Sequence, residues 1–256
     1  MRSMKGRIGS KFLPLFIIIA ISLVVFSAGP ASAEPILQLY AEGATYNSVT
    51  QSWEKSYAPG ETLRLWTIAW TTSKGPIYDV KLSIAYDSQP AAPVFTLTSS
   101  TTGGYGGYVD PSTPSAAVFS QYRNDGSTPT LGDGSSLPGH SIFGAGTDWT
   151  EYRLGDFDKA DSLIADFTTG TWVGPIPPPG TKYGQINVYE IVVSGLLGDD
   201  LHFDLYDHYV SQSRMHYKFA PFSHDATFIT PEAGALLLFG TGLIGLVGYR
   251  RVRRMQ

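Results

Sequence analysis

Apolar and polar residues alternate along several short segments in the middle of this chain, and Gly, Pro, Asn and Asp separate these segments. Because successive side chains of a strand point to opposite faces, a period of two predicts β-strands. The clearest predicted strands are residues 62–70, 80–86, 186–193 and 201–210, with shorter ones at 36–40, 94–98, 117–121 and 217–220. No segment here has the 3.6-residue period of a capped helix. The pattern therefore predicts an all-β fold, an antiparallel and jelly-roll-like β-sandwich.

The predicted strands differ in how much of their surface is apolar. Both faces of 62–70 are largely apolar, which predicts a strand with cover on each face. Between 79 and 86, apolar residues alternate with Asp79, Lys81, Ser83 and Ala85, a pattern that suits a half-buried strand. Residues 99–146 are rich in Gly, Ser, Thr and Pro. They are expected to form a mobile, loop-rich insertion rather than a binding rim.

A longer apolar segment lies near the N-terminus. It follows a basic region that contains Arg2 and Lys5, and it ends before Ala31-Ser32-Ala33. Basic, apolar and small-residue regions in this order are typical of a secretory signal peptide, here residues 1–33, with Ala31 and Ala33 at the cleavage site. The alternative is an uncleaved signal anchor.

A second apolar segment, residues 233–249, has no charged residue and is long enough to cross a bilayer. A buried core helix is the alternative, but a basic cluster at the chain end follows immediately and argues against it. That cluster should act as a stop-transfer signal and stay cytoplasmic; it consists of Arg250, Arg251, Arg253 and Arg254. The sequence therefore predicts an exported domain at 34–228, followed by an anchor at 229–256 with a transmembrane helix at 233–249 and a basic tail at 250–254.

Charge and cysteine content restrict the partners of the exported domain. The chain has 18 Lys and Arg and 22 Asp and Glu. Eight of the basic residues and one acidic residue lie in the two end segments, which leaves 10 basic and 21 acidic residues between them. So acidic a domain argues against direct contact with nucleic acid or anionic lipid. The chain has no cysteine, so its core must be stable without disulfides.

The C-terminal segment resembles a known sorting signal. Thr230-Pro231-Glu232-Ala233-Gly234, the apolar run and Tyr249-Arg250-Arg251 resemble the PEP-CTERM signal of exported bacterial proteins. The resemblance implies recognition by an exosortase, a membrane-embedded transpeptidase-like enzyme, in bacteria that make extracellular polysaccharide. Its sorting motif would be Pro231, Glu232 and Ala233, with Ala233 in place of the usual second proline.

The exported domain resembles the choice-of-anchor N family, whose members share a domain but carry different C-terminal sorting signals. The similar pieces lie between residues 36 and 225; they include Leu37-Gln38-Leu39-Tyr40, Thr150-Glu151-Tyr152-Arg153-Leu154, Gly184-Gln185-Ile186-Asn187 and Lys218-Phe219-Ala220-Pro221-Phe222. The resemblance implies an exported domain and carries no activity onto particular residues.

Two groups of residues could bind a metal ion. His202, Asp204 and His208 would share one face of a strand, and zinc accepts imidazole and carboxylate ligands. The same face lies opposite Leu201, Phe203 and Leu205, so a solvated polar face without metal is the favoured interpretation. Acidic residues that could bind calcium also gather in one segment, and these are Asp156, Asp158, Asp161 and Asp166. A charged surface turn is the favoured interpretation of this segment, and no cofactor is expected.

Aromatic residues are abundant, with 15 Tyr, 13 Phe and 5 Trp. Those in or beside predicted loops could stack on sugar rings, although core packing is the commoner use of such rings. The candidate glycan contacts are Tyr105, Tyr108, Trp149 and Tyr152. No serine-hydrolase, metalloprotease or phosphate-loop motif occurs, so no catalytic residue is predicted.

These patterns together predict an exported protein with a non-catalytic, structural or adhesive role at the cell surface or in the extracellular matrix. Its expected partners are the Sec export machinery, an exosortase-type enzyme, the membrane through the C-terminal helix, and exopolysaccharide. The alternative is a metal-dependent or carbohydrate-active enzyme, a hydrolase, built on a β-sandwich.

Overall fold

Short strands account for most of the chain that the structure describes. The computed structural model describes residues 36–58, 60–100, 116–139, 142–166, 179–195, 200–221 and 225–230. A one-turn helix, α1 (Thr71–Lys74), accompanies the strands. The described strands are β1 (Leu37–Ala41), β2 (Thr45–Asn47), β3 (Ser52–Ser56), β4 (Thr62–Ala69), β5 (Ile77–Asp87), β6 (Val94–Ser99), β7 (Val118–Arg123), β8 (Thr147–Phe157), β9 (Ser162–Ile164), β10 (Lys182–Ser194), β11 (Leu201–Ser211), β12 (Arg214–Phe219) and β13 (Asp225–Ile229).

The described strands form two sheets. The smaller has the order β1-β4-β10-β6, with β9 paired to β10, and the larger has the order β2-β3-β13-β11-β5-β8-β7, with β12 paired to β11. Neighbouring strands run antiparallel except β3 and β13, which are parallel. The prediction of an all-β fold is confirmed, and the architecture is consistent with the predicted sandwich.

The main core contains buried side chains of both sheets. Leu65 of β4 and Ile191 of β10 belong to the same cluster as Leu82 of β5 and Phe203 of β11. Phe203 also meets Phe228 of β13 edge to face, with ring centroids 5.4 Å apart. Burying one such side chain stabilises the fold by about 1.5–3 kcal/mol. Residues 65–69 of β4 are all buried, as the apolar character of both its faces predicts.

A second apolar cluster lies on the opposite face of β11. Leu131 and Leu137 pack against Tyr206, and half-buried Phe143, Tyr217 and Phe219 surround them. Alternation along β11 puts Tyr206 on the face away from Leu205, which belongs to the main core. Residues of the segment between β7 and β8 therefore cover part of the outer face of the larger sheet.

The covering segment bears on two predictions. The part of 99–146 that the structure describes has a tight turn, closed by a bridge between Thr130 and Ser136, and the mobility of the segment stays a prediction. Leu131 and Leu137 then pack onto the sheet. The strand at β5 was expected to be half-buried, yet Lys81 and Ser83 on its polar face are also buried. These two side chains bond to acidic residues of β11, Lys81 to Asp207 and Ser83 to Asp204, and alternation along β5 does not reveal such cross-strand partners.

The predicted signal peptide (1–33), membrane helix (233–249) and basic tail (250–254) lie outside the described residues. Within the described ranges, no helix has the length and apolar content needed to span a membrane. The final described strand, β13, ends at Ile229.

Candidate functional site

The polar face of β11 is buried. His202, Asp204 and Tyr206 lie on one face of the strand, as the period of two predicts, but they are only 7%, 3% and 0% exposed. The expectation of a solvated polar face is therefore wrong. A buried polar face must have its groups bonded or charge-compensated, because burying them alone costs free energy.

A second acidic residue joins this face from the neighbouring strand. The antiparallel register pairs His202 with Thr227 and Phe203 with Ala226, so Asp225 at the start of β13 comes beside Asp204. The His202 Nε2 atom lies 3.6 Å from Asp204 Oδ1 and 3.8 Å from Asp225 Oδ2. One donor atom from each of the three residues lies within 4.8 Å of the others, and all three residues are buried. We call this group the His202–Asp204–Asp225 cluster.

Hydroxyl groups on adjacent strands position the cluster. His202 Nδ1 lies 3.1 Å from Thr227 Oγ1, which lies 2.9 Å from Ser52 Oγ on β3. The Ser83 hydroxyl on β5 donates to Asp204 Oδ2 over 3.4 Å. Because Nδ1 of the imidazole contacts Thr227, Nε2 is directed at the two carboxylates. The hydrogen bonds connect four neighbouring strands of the larger sheet.

The electrostatics of the cluster are dominated by two adjacent carboxyl groups. Burial, and after it the negative charge of Asp204, raises the pKa of Asp225 well above its ordinary value. An unfolded chain would ionise Asp225 at a lower pH than the folded chain does. The folded state therefore loses stability as the pH rises above the ordinary carboxyl pKa, unless a cation compensates the charge.

His208 does not join the cluster. A register shift between Tyr206 and His208 interrupts the pairing of β11 with β5. His208 Nδ1 instead lies 2.6 Å from Asp207 Oδ1, and the other oxygen of Asp207 accepts a 2.7 Å hydrogen bond from Lys81 Nζ. Of the predicted set, His202 and Asp204 therefore lie together in the cluster with Asp225, and His208 does not.

A further carboxylate on the same face bonds to a tyrosine. The Tyr206 hydroxyl donates to Glu151 Oε2 of β8 over 2.5 Å, and both residues are buried. Burial and the negative charge of Glu151 raise the pKa of Tyr206 well above its ordinary value. The Tyr206 hydroxyl therefore stays protonated, and can donate its hydrogen bond, up to a higher pH than an ordinary tyrosine.

Two of the four predicted glycan contacts are buried. Trp149 is 1% exposed and donates from Nε1 to the Ser127 carbonyl over 2.8 Å, so it fixes the covering segment to β8. Tyr152 is 7% exposed and donates to the Phe95 carbonyl over 2.7 Å. Neither ring is therefore freely exposed. Tyr105 and Tyr108 lie outside the described residues.

An apolar groove of about 240 Å³ runs between β6, β7 and β8. Its aromatic walls are Phe95, Phe119, Tyr122 and Tyr152, so one edge of the Tyr152 ring still borders a surface depression. Phe119 and Val94, which also line the groove, are 58% and 61% exposed. At this groove, aromatic rings are therefore accessible to a ligand.

The predicted calcium candidates do not form a site in the described residues. Asp156 Oδ1 accepts the backbone N–H of Asp79, and Asp158 lies 3.8 Å from Lys159 Nζ. Asp161 accepts from the hydroxyl of its neighbour, Ser162. Within the described ranges, the group with metal-binding spacing is the His202–Asp204–Asp225 cluster.

Comparison with known proteins adds no assignment, because no protein-family model and no curated protein matches the chain. Residues and geometry are the basis for any statement of function.

Asp225 is the residue of the cluster that sequence reasoning missed. One signal could have found it, because Ala226 and Phe228 alternate with Asp225 and Thr227 in a strand-like pattern just before the predicted anchor. That pattern places Asp225 on a polar face, but it does not say which strand lies beside it.

Proposed function

We propose that this chain is an exported, non-catalytic protein of the cell surface or extracellular matrix, with a structural or adhesive role that includes contact with exopolysaccharide. The signal peptide at 1–33 and the sorting motif at Pro231, Glu232 and Ala233 support export and surface attachment. An exosortase-type enzyme would act on that motif after Sec-dependent export. A jelly-roll-like strand order stays a prediction.

The groove between β6, β7 and β8 is the observation that carries the polysaccharide contact. Sugar rings have apolar faces that pack on aromatic side chains, and the groove offers four aromatic residues at its walls. Phe119 is mostly exposed, so it can meet a ligand without rearrangement of the core. The acidic character of the domain favours a neutral glycan over a polyanion.

Retention on immobilised, purified neutral bacterial exopolysaccharide tests this contact. Replacing Phe119 by Ala should reduce retention several-fold, since it removes an exposed ring at the groove. Met215→Ala is the matched control, because Met215 is 61% exposed but belongs to β12, away from the groove. Equal retention of the wild-type chain, the Phe119 variant and the Met215 variant would rule out the groove, and no retention would rule out the contact.

Export and anchoring require a separate test. A reporter enzyme that is active only outside the cytoplasm, fused after Thr230, should be active. In the full chain, replacing Arg250, Arg251, Arg253 and Arg254 together by Ser should weaken stop-transfer and release more protein into the medium. An inactive reporter would contradict export, and unchanged membrane retention would contradict the role of the basic cluster.

The alternative of a metal-dependent hydrolase has one observation in its favour, the His202–Asp204–Asp225 cluster. Its side chains are at most 9% exposed, so a polymeric substrate would have to reach through the sheet surface. Release of reducing ends from the polysaccharide by the wild-type chain, and its loss in an Asp204→Asn variant, would favour this alternative.

A further inference from the structure

We propose that the His202–Asp204–Asp225 cluster is a structural binding site for one divalent transition-metal ion, Zn²⁺ by its ligand chemistry, and that the ion joins β11 to β13. This site is independent of the polysaccharide groove and of the anchor. It would act on the stability of the exported domain.

The spacing of the donor atoms suits such an ion. With zinc–ligand bonds of about 2.0–2.1 Å, two ligands of a tetrahedral site lie roughly 3.3–3.4 Å apart. His202 Nε2 is already 3.6 Å from Asp204 Oδ1 and 3.8 Å from Asp225 Oδ2. These two pairs would have to close by only a few tenths of an ångström. The donor atoms of all three residues lie within 4.8 Å of one another, so the carboxylates would close on the ion from that distance or less.

The surrounding groups prepare the imidazole for coordination. Metal-binding histidines usually use one ring nitrogen for the metal and the other for a hydrogen bond that fixes the ring. Here Nδ1 of His202 contacts Thr227 Oγ1 at 3.1 Å, and Nε2 faces the carboxylates. The Asp204 carboxylate is also fixed by a hydrogen bond, because the Ser83 hydroxyl donates to its Oδ2 atom. The arrangement therefore includes the supporting hydrogen bonds as well as the three donors.

Charge balance also favours a divalent cation. Two carboxylates buried side by side repel each other, and burial makes each charge costly. A neutral imidazole, two carboxylates and one divalent ion together carry no net charge. Calcium is a poorer fit, since it takes six to eight oxygen ligands, whereas this cluster offers one nitrogen and two carboxylate groups. Zinc accepts this mixture and a small number of ligands.

The strands that carry the cluster indicate what a bound ion would stabilise. Asp204 and His202 belong to β11, and Asp225 begins β13. In the larger sheet, β13 is the strand through which β3 and β2 join β11. An ion held between β11 and β13 would therefore secure the attachment of the β2–β3 hairpin to the rest of the sheet.

Zinc titration of the full-length chain, purified in mild detergent and stripped with a chelator, tests the proposal. Native mass spectrometry should show one zinc ion per chain. Calorimetry should show at least a tenfold loss of zinc affinity for the His202→Gln and Asp225→Asn variants. His216→Gln is the matched control, since His216 stacks on Tyr209 at a 5.0 Å centroid distance and lies outside the cluster. Its affinity should equal that of the wild-type chain.

Thermal unfolding with and without zinc distinguishes a variant that has lost the zinc site from one that folds poorly. Asn has the shape of Asp, and it removes one of two adjacent buried charges, so metal-free Asp225→Asn should unfold at the wild-type temperature or higher. Zinc should raise the Tm of the wild-type chain and leave that of the variant unchanged. Absence of zinc binding by the wild-type chain, or equal zinc affinity in the wild-type and both cluster variants, would overturn the proposal. The cluster would then be a carboxyl pair held by a proton.

Discussion

Lys81 and Asp207 offer the most direct test of how the buried polar face is held together. Lys81 Nζ and Asp207 Oδ2 are 2.7 Å apart, and their side chains are 10% and 1% exposed. Burial lowers the pKa of Lys81, but the hydrogen bond and charge of Asp207 outweigh it, so the pKa lies above its ordinary value. The ammonium group therefore stays charged in the fold. Replacing Lys81 by Met keeps much of its volume and removes the ammonium group, with its charge and its hydrogen bond to Asp207.

The size of the effect follows from the geometry. At the observed 2.7 Å and an effective dielectric constant of about 20, the attraction is about 6 kcal/mol, most of which offsets the desolvation of the two groups. Without Lys81, Asp207 stays buried with its charge uncompensated on that side. Breaking such a pair costs about 3–5 kcal/mol. Because a domain of this kind is stable by about 5–15 kcal/mol, the loss is a large part of the total.

Urea unfolding followed by tryptophan fluorescence measures this loss. Lys159→Met is the matched control. The Lys159 side chain is 44% exposed and its Nζ lies as far as 3.8 Å from Asp158 Oδ1, so removing this ion pair should lower the free energy of unfolding by about 1 kcal/mol or less. The double variant Lys81→Met with Asp207→Asn should be more stable than Lys81→Met alone, since it also removes the uncompensated charge of Asp207. A Lys81→Met variant that loses less than about 1 kcal/mol, or a double variant that is less stable still, would refute this reasoning.

Two further predictions concern alkaline pH and chain packing. Burial and neighbouring charge raise the pKa of Tyr206 well above its ordinary value, and burial raises that of Tyr152 to about 12. Because the unfolded chain ionises these groups near pH 10, stability should fall above that pH by about 1.4 kcal/mol per pH unit for each tyrosine; a flat urea midpoint from pH 9 to 11.5 would contradict this. In β10, a Cβ on Gly184 would overlap the Ala69 carbonyl group, whereas a Cβ on Gly139 would meet nothing within 4 Å. Gly184→Ala should therefore cost about 1–3 kcal/mol in urea unfolding and Gly139→Ala much less, and equal losses would show that the sheet adapts.

Strand positions were predictable from the sequence where alternation is regular. The period of two found β4, β10 and β11 to within a few residues. It missed β8, where Gly155 and Asp156 interrupt the apolar pattern, and so Trp149 was placed near a loop. In the structure Trp149 is buried, and its indole N–H donates to the carbonyl of Ser127 in the segment between β7 and β8. Local alternation says which side chains share a face, but not whether a distant segment covers that face.

The candidate site shows the same limit. His202 and Asp204 were found because they are two residues apart on one strand, a relation that the sequence contains. His208 was included by the same rule, and it fails because the ladder with β5 changes register after Tyr206. Asp225 was missed because its neighbour across the ladder is decided by the pairing of β11 with β13. A register shift and a strand pairing are tertiary properties, and a period of two does not encode them.

The parallel pairing of β3 with β13 has a consequence for how the chain matures. Ser52 bonds to the Asp225 backbone across a separation of 173 residues, so the early hairpin acquires its neighbour only after all of the intervening chain has been synthesised. At about 5–20 residues per second, synthesis of the intervening chain takes roughly 9–35 s. Throughout that interval the edge of β3 is open to unwanted association, and we expect a chaperone that holds unfolded chains to increase the yield. A nascent chain that stops before Asp225 would keep this vulnerable edge permanently.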